Sequence, residues 1–175
     1  PHIHLSLQSN DNLILKRMKR RHNSEDAKNL INSLKKARPD ILFGADLIAG
    51  FPTESEEAFN NTLNSVKKLD LTFLHVFPYS SRSGTPAAKM PQVDKKLIKE
   101  RAKKLREIGQ YQLQNKLKQS INTIQNVLIE TEDGIGHCEN FLVAKIKNAS
   151  QRKIYKCKIT GIEENKLVGK IYESI

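Results

Sequence analysis

Polar and apolar residues alternate over residues 2–7, with His2, His4 and Ser6 on one side and Ile3, Leu5 and Leu7 on the other. A period of two is the mark of a strand, and this one is already under way at the first residue, where an independent domain seldom begins. Asn23 stands ahead of a run whose apolar members Ala27, Leu30, Ile31, Leu34 and Ala37 keep helical spacing, and Pro39 stops it. A second strand is expected over 41–48. Gly50-Phe51-Pro52 turns the chain, and Thr53 with Glu56 offers a capping box to a helix carrying Phe59, Leu63, Val66 and Leu69. Residues 72–77 read as the third strand. Strands and helices that alternate with short connections predict right-handed βαβ units and a parallel sheet, and three strands are too few to close a barrel.

A loop rich in Ser, Gly and Pro (80–91) leads to a long basic helix over 94–118 with Ile98, Ala102, Leu105, Ile108 and Tyr111 down one side. Beyond Ser120 the pattern changes to short β-rich runs at 123–130, 141–146, 154–162 and 166–172. Turn signals at Glu132-Asp133-Gly134 and Glu163-Glu164-Asn165 separate them, which predicts a small antiparallel barrel of about 55 residues. Two domains are therefore expected, 1–118 and 119–175.

Composition narrows the class. At 175 residues and 38% hydrophobic the chain can bury a real core. No run approaches the roughly 18 apolar residues of a membrane span, and residues 1–5 lack the blocks of a signal peptide, so no membrane association and a cytoplasmic location are expected. Cys138 and Cys157 form no CxxC pair and spell neither a zinc site nor a redox motif. The net charge of +11 is unevenly spread: +6 over 1–38, −3 over 39–94, +7 over 95–118 and +1 over 119–175. Two basic blocks suit a polyanion, because phosphates neutralised by Lys and Arg release condensed counterions. Solvated helix faces are the bland alternative.

Ligands in such folds collect at the C-terminal ends of parallel strands. Three stretches fall there: Leu7-Gln8-Ser9-Asn10 running on to the basic segment 16–21, Asp46 to Glu54 around Gly50-Phe51-Pro52, and Phe77 to Pro86 with Tyr79, Arg82 and Gly84. These strings resemble the methylthiotransferase branch of the radical S-adenosylmethionine (SAM) superfamily. The matching positions are His4, Leu5, Leu7, Gln8 and Ser9; Arg17, Met18 and Arg20; Gly50, Phe51, Pro52 and Glu54; and 79–87. The chain departs at Asn10, where the family usually has Gly; Asn tolerates a left-handed conformation better than most residues. The segments 44–54 and 75–80 look most like the subgroup that modifies N6-threonylcarbamoyladenosine in tRNA. From about Leu117 the tail is similar to a TRAM domain, on Val127-Leu128-Ile129-Glu130, Gly136, Lys158-Ile159-Thr160-Gly161 and Leu167-Val168-Gly169.

The resemblance implies an α/β fold, the C-terminal half of a radical SAM partial (βα) barrel, followed by a small all-β TRAM-like barrel. It implies SAM and two 4Fe-4S clusters as cofactors. Three thiolates would hold each cluster, and the two cysteines of this chain do not supply them, so this polypeptide alone is expected to be inactive and to need the preceding, N-terminal half. Polar groups at Gln8, Ser9 and Asp46, with Gly50 admitting backbone close to a ligand, are the expected SAM contacts. Arg17, Arg20 and Arg82 at the strand ends, and Arg152, Lys153, Lys156 and Lys158 in the tail, are the expected contacts to the tRNA anticodon arm, with Phe141 or Tyr155 stacking on bases. His2 and His4 share a strand face as metal ligands do, yet a lone HxH is more often structural, and no metal site is expected. Three other functions stay open: methylthiolation of isopentenyladenosine, a non-catalytic RNA-binding module, and an unrelated α/β metabolic enzyme.

Overall fold

A computed structural model describes residues 1–174, the last two by backbone alone. β1 (His2–Gln8), α1 (Asn12–Arg17), α2 (Ser24–Ala37), β2 (Leu42–Ala49), α3 (Glu56–Lys68) and β3 (Leu71–Pro78) come first. A 3₁₀ turn (Pro86–Lys89) then precedes the 25-residue α4 (Lys95–Gln119). The strands form one sheet in the order β1-β2-β3, and β2 runs parallel to β3. The expected α/β architecture is present.

The elements start where their caps put them. Asn23 closes a capping box with Asp26 at the start of α2. At α3 the structure corrects the expectation: Ser55 is the N-cap and accepts from the Ala58 N–H at 3.1 Å. Thr53, expected to cap, takes φ +67 two residues earlier. Asn10 does not supply the left-handed turn after β1; Gln8 does, at φ +66. The helices bury narrower stripes than their periodicity suggests. Ala27 and Ile31 of α2, Phe59 and Val66 of α3, and Ile98, Ala102 and Leu105 of α4 are buried, whereas Leu30 and Tyr111 stand in solvent.

A second compact unit contains residues 113–175 with two short N-terminal pieces, 1–2 and 40–42; residues 3–39 and 43–112 make the other. In it β4 (Ile124–Ile129), β5 (Ile135–Cys138), β6 (Val143–Ile146), β7 (Ile154–Glu163) and β8 (Lys166–Ser174) close a barrel in the order β4-β5-β6-β8-β7. The barrel is not wholly antiparallel as expected, since β6 and β8 pair in parallel. β5 escaped the periodicity reading because it is four residues long and carries Gly136 at its centre. A Cβ on Gly136 would lie 1.8 Å from the Leu128 carbonyl oxygen, so only glycine lets β4 and β5 meet there. Val127, Ile129, Ala144, Ile146, Cys157, Ile159 and Leu167 fill the interior. Burial pushes the Cys138 thiol up to about 12 and the Cys157 thiol up to about 11, so both are core residues and poor nucleophiles.

Candidate functional site

The C-terminal ends of the three strands open onto a cleft of about 550 Å³ lined by Gln8, Ile48, Phe77 to Ser80, Arg82, Thr85 and Ala87. A smaller one of about 290 Å³ shares Gln8, Ile48, Thr85 and Ala87 and adds Arg17, Met18, Lys19, Arg20 and Phe51. The larger falls within the range of small-molecule sites. Apolar walls from Ile48, Phe77 and Tyr79 face a few polar groups, the Gln8 amide and the Arg82 guanidinium among them.

Gln8 at φ +66 and Lys19 at φ +57 line the clefts with left-handed backbone. Thr53, held by Arg17 of the smaller cleft, takes φ +67, which is rare for a β-branched side chain. The strain at Thr53 is over-determined from three sides. Its N–H donates to the Pro91 carbonyl at 3.0 Å, its hydroxyl donates to the Pro52 carbonyl, and Arg17 Nη1 donates to Thr53 Oγ1 at 2.6 Å. Backbone held in such regions by its surroundings clusters at ligand clamps.

The expected SAM contacts divide. Gln8 lines both clefts. Ser9 is buried and its hydroxyl shares a hydrogen bond of 3.0 Å with Thr62 Oγ1. Asp46 is engaged by His4 Nε2 at 2.9 Å, His75 Nδ1 at 3.3 Å and the Ser6 hydroxyl at 3.4 Å. Burial raises the Asp46 carboxyl, but the hydrogen bond from His4 and the charges of His4 and His75 outweigh it and hold the group below its ordinary value. At Gly50 (φ +75) a Cβ would lie 2.4 Å from Ile98 Cγ1, so the position also needs glycine for packing.

Glu54 was missed as a site-shaping residue. It is 5% exposed and accepts from the Gly50 N–H at 2.9 Å and from Arg101 Nη1 at 2.8 Å. Burial pushes its carboxyl up against the opposing pull of the Gly50 N–H and the Arg101 guanidinium. Arg101 also donates to the Glu54 carbonyl and to Glu56, and its guanidinium lies 5.2 Å over the Phe59 ring. No periodicity reveals a buried arginine inside a helix otherwise studded with solvated Lys.

Among the expected polyanion contacts, Arg17 and Arg20 sit together in the smaller cleft with Arg82 in the larger. Arg20 Nη2 donates to the Ser6 carbonyl at 2.6 Å, so each of Arg17 and Arg20 is pre-oriented while keeping further donors. In the barrel Arg152, Lys153 and Lys158 are exposed and Lys156 is half-buried. Tyr155 faces inward, its hydroxyl accepting from the Ser150 N–H at 3.1 Å, so it offers no ring for stacking. Phe141 is 54% exposed. A cleft of about 510 Å³ lined by Lys145, Lys147, Asn148, Thr160 and Lys170 was missed. Lys145 and Lys147 alternate with Ala144 and Ile146, the signal that would have found it.

The family model of the radical SAM superfamily matches residues 1–66. The threonylcarbamoyladenosine tRNA methylthiotransferase MtaB of Rickettsia prowazekii is 49% identical over 165 residues, which is 94% of this chain and 39% of that protein. The protein of the same name from Bacillus subtilis is 37% identical over 90% of this chain and 38% of its own length. The tRNA-2-methylthio-N(6)-dimethylallyladenosine synthase of Ehrlichia chaffeensis is 41% identical over 62% of this chain and 25% of its own. The chain thus spans about two fifths of the length of these two threonylcarbamoyladenosine-type relatives. Among the described residues no helix is long and apolar enough to cross a membrane.

Proposed function

We propose, from the premise that this chain belongs to the radical SAM tRNA methylthiotransferase family, that it is the C-terminal part of an enzyme placing a methylthio group on C2 of N6-threonylcarbamoyladenosine 3′ to the anticodon. The observation that carries the reading is the 49% identity, sustained over nearly the whole chain, to an enzyme named for that nucleoside.

The groups of this chain would bind and orient. Gln8 and Arg82 would hold polar parts of SAM or the nucleoside against the wall of Ile48, Phe77 and Tyr79. Arg17 and Arg20 would meet phosphate, and the barrel's Arg152, Lys153, Lys156 and Lys158 would grip the anticodon arm beside exposed Phe141. Bound SAM, with its iron-sulfur partner, supplies the radical that activates the aromatic carbon. Cys138 and Cys157, buried in the barrel with raised thiol pKa values, do not fit as cluster ligands. The cluster thiolates would therefore come from polypeptide outside these 175 residues, and this chain alone would be inactive.

The test is to join the chain to the N-terminal three fifths of the Rickettsia prowazekii relative and express the fusion in cells lacking tRNA methylthiolation. Mass spectrometry of the tRNA nucleosides is expected to show the 2-methylthio form of N6-threonylcarbamoyladenosine. The 2-methylthio form of isopentenyladenosine would reassign the substrate, a reading favoured by the 41% identity to a dimethylallyladenosine synthase. Neither product from a folded, cluster-loaded fusion would overturn the proposal and leave an RNA-binding module.

A further inference from the structure

Upstream of the cleft, three strands contribute one side chain each to a single row on one sheet face. His4 comes from β1, Asp46 from β2 and His75 from β3, and Asp46 and His75 are register partners. Their donor atoms, one per residue, all lie within 4.8 Å of one another. His4 Nε2 is 2.9 Å and His75 Nδ1 3.3 Å from the same oxygen, Asp46 Oδ1, and the two rings stand 4.6 Å apart between centroids. We infer that His4, Asp46 and His75 form a binding site for one divalent transition-metal ion of the zinc type.

The donor set fits such an ion. Two imidazoles and a carboxylate are borderline ligands that suit zinc, ferrous iron, cobalt or nickel rather than magnesium or calcium. An ion about 2.1 Å from each ligand in tetrahedral array keeps its ligand atoms about 3.4 Å apart, close to the 2.9 Å and 3.3 Å that separate Asp46 Oδ1 from the two imidazole nitrogens. The side chains spring from adjacent strands of one sheet, which fixes them better than loops would. The Ser6 hydroxyl donates to Asp46 Oδ2 at 3.4 Å and turns the other oxygen, Oδ1, toward both imidazoles, the orienting role that outer groups play at metal sites. One carboxylate against a dication leaves a net positive centre.

The site is also reachable. The His75 side chain is 64% exposed, so the fourth position would be open to solvent or to a ligand, as in three-ligand zinc centres that do chemistry. Along the strands the next outward row is Ser6, Ile48 and Phe77, two residues or about 6.6 Å further on, and Ile48 and Phe77 line the larger cleft. His2, the other histidine of the HxH pair, is not in the cluster. The inference does not rest on the methylthiotransferase reading and is tested without tRNA or SAM.

The 175-residue chain, freed of metal by chelation, is titrated with zinc chloride by calorimetry, and the zinc-loaded protein is measured by X-ray absorption. One equivalent is expected to bind with a nitrogen and oxygen shell at about 2.0–2.1 Å and no sulfur shell at about 2.3 Å. His75→Gln and Asp46→Asn are each expected to weaken zinc roughly tenfold or more, with thermal melts of the metal-free variants showing that they fold. His137→Gln, which breaks a separate histidine-carboxylate pair with Glu130 in the barrel, is expected to change nothing. Absence of stoichiometric binding overturns the inference. So does a sulfur shell, which would place zinc on Cys138 or Cys157, and so does binding that survives His75→Gln in the folded variant.

Discussion

Gly50 shows how a residue that the sequence marks as special can have a further cause that no local pattern displays. The turn after β2 marks it, and ligand approach is the natural reading of a glycine there, yet its neighbour is Ile98 on α4, which no local pattern brings near. Two costs meet at Gly50→Ala. Left-handed backbone costs a residue with a Cβ about 1–2 kcal/mol, and the new methyl, 2.4 Å from Ile98 Cγ1 and 3.0 Å from its Cβ, adds an overpacking cost of about 1–3 kcal/mol. Urea unfolding of Gly50→Ala is expected to show a loss of about 2–4 kcal/mol. In an Ile98→Ala background, which removes Cγ1 and Cγ2 but keeps the Cβ, the same change should cost clearly less, a coupling that a double-mutant cycle reads directly. Equal cost in both backgrounds would remove the packing explanation. Gln8, by contrast, was legible: the strand ends where the polar residue begins, and the cleft lies there.

At the scale of elements, the sheet, α2, α3, α4 and four of the five barrel strands follow from periodicity and turn residues, each within a few residues of its observed bounds. What periodicity hides is how α4 docks near the start of α3. Glu54 and Arg101, 2% and 3% exposed in their side chains, do this by closing over Gly50 and Phe59. Removing one partner of a buried pair leaves a charge without compensation and typically costs about 3–5 kcal/mol, whereas replacing both by apolar groups is often neutral. Arg101→Met is therefore expected to destabilise by about 3–5 kcal/mol in denaturant, while Glu54→Leu/Arg101→Met should lose clearly less. A double variant as unstable as the sum of the two singles would mean that the residues act separately. The missed elements, α1, the 3₁₀ turn and β5, span six, four and four residues, too few to display a period.

Over the whole molecule, charge says more about a partner than any single contact does, and here it was readable from the outset. The excess lies in 1–38 and 95–118, while the barrel segment 119–175 carries only +1. The structure adds which of those cations are already engaged: Arg101 is buried in an ion-pair network and Arg17 and Arg20 are tied to backbone or Thr53, whereas Lys16, Lys19 and Arg21 are exposed. On the proposed reading, tRNA affinity should fall steeply with salt, each neutralised phosphate contributing about 0.7–0.9 to the slope of log K against log salt. Replacing Lys16, Lys19 and Arg21 together by Gln should flatten that slope by about 2–3. The same treatment of Arg152, Lys153 and Lys158 tests the barrel, whose acidic side chains nearly cancel its basic ones and whose hold on RNA would then depend more on shape and on Phe141 than on counterion release. Filter binding across a salt series separates the two. A slope unchanged by the first triple variant but flattened by the second would move the electrostatic grip to the barrel, and a wild-type chain whose weak binding ignores salt would remove tRNA as the partner of these basic blocks.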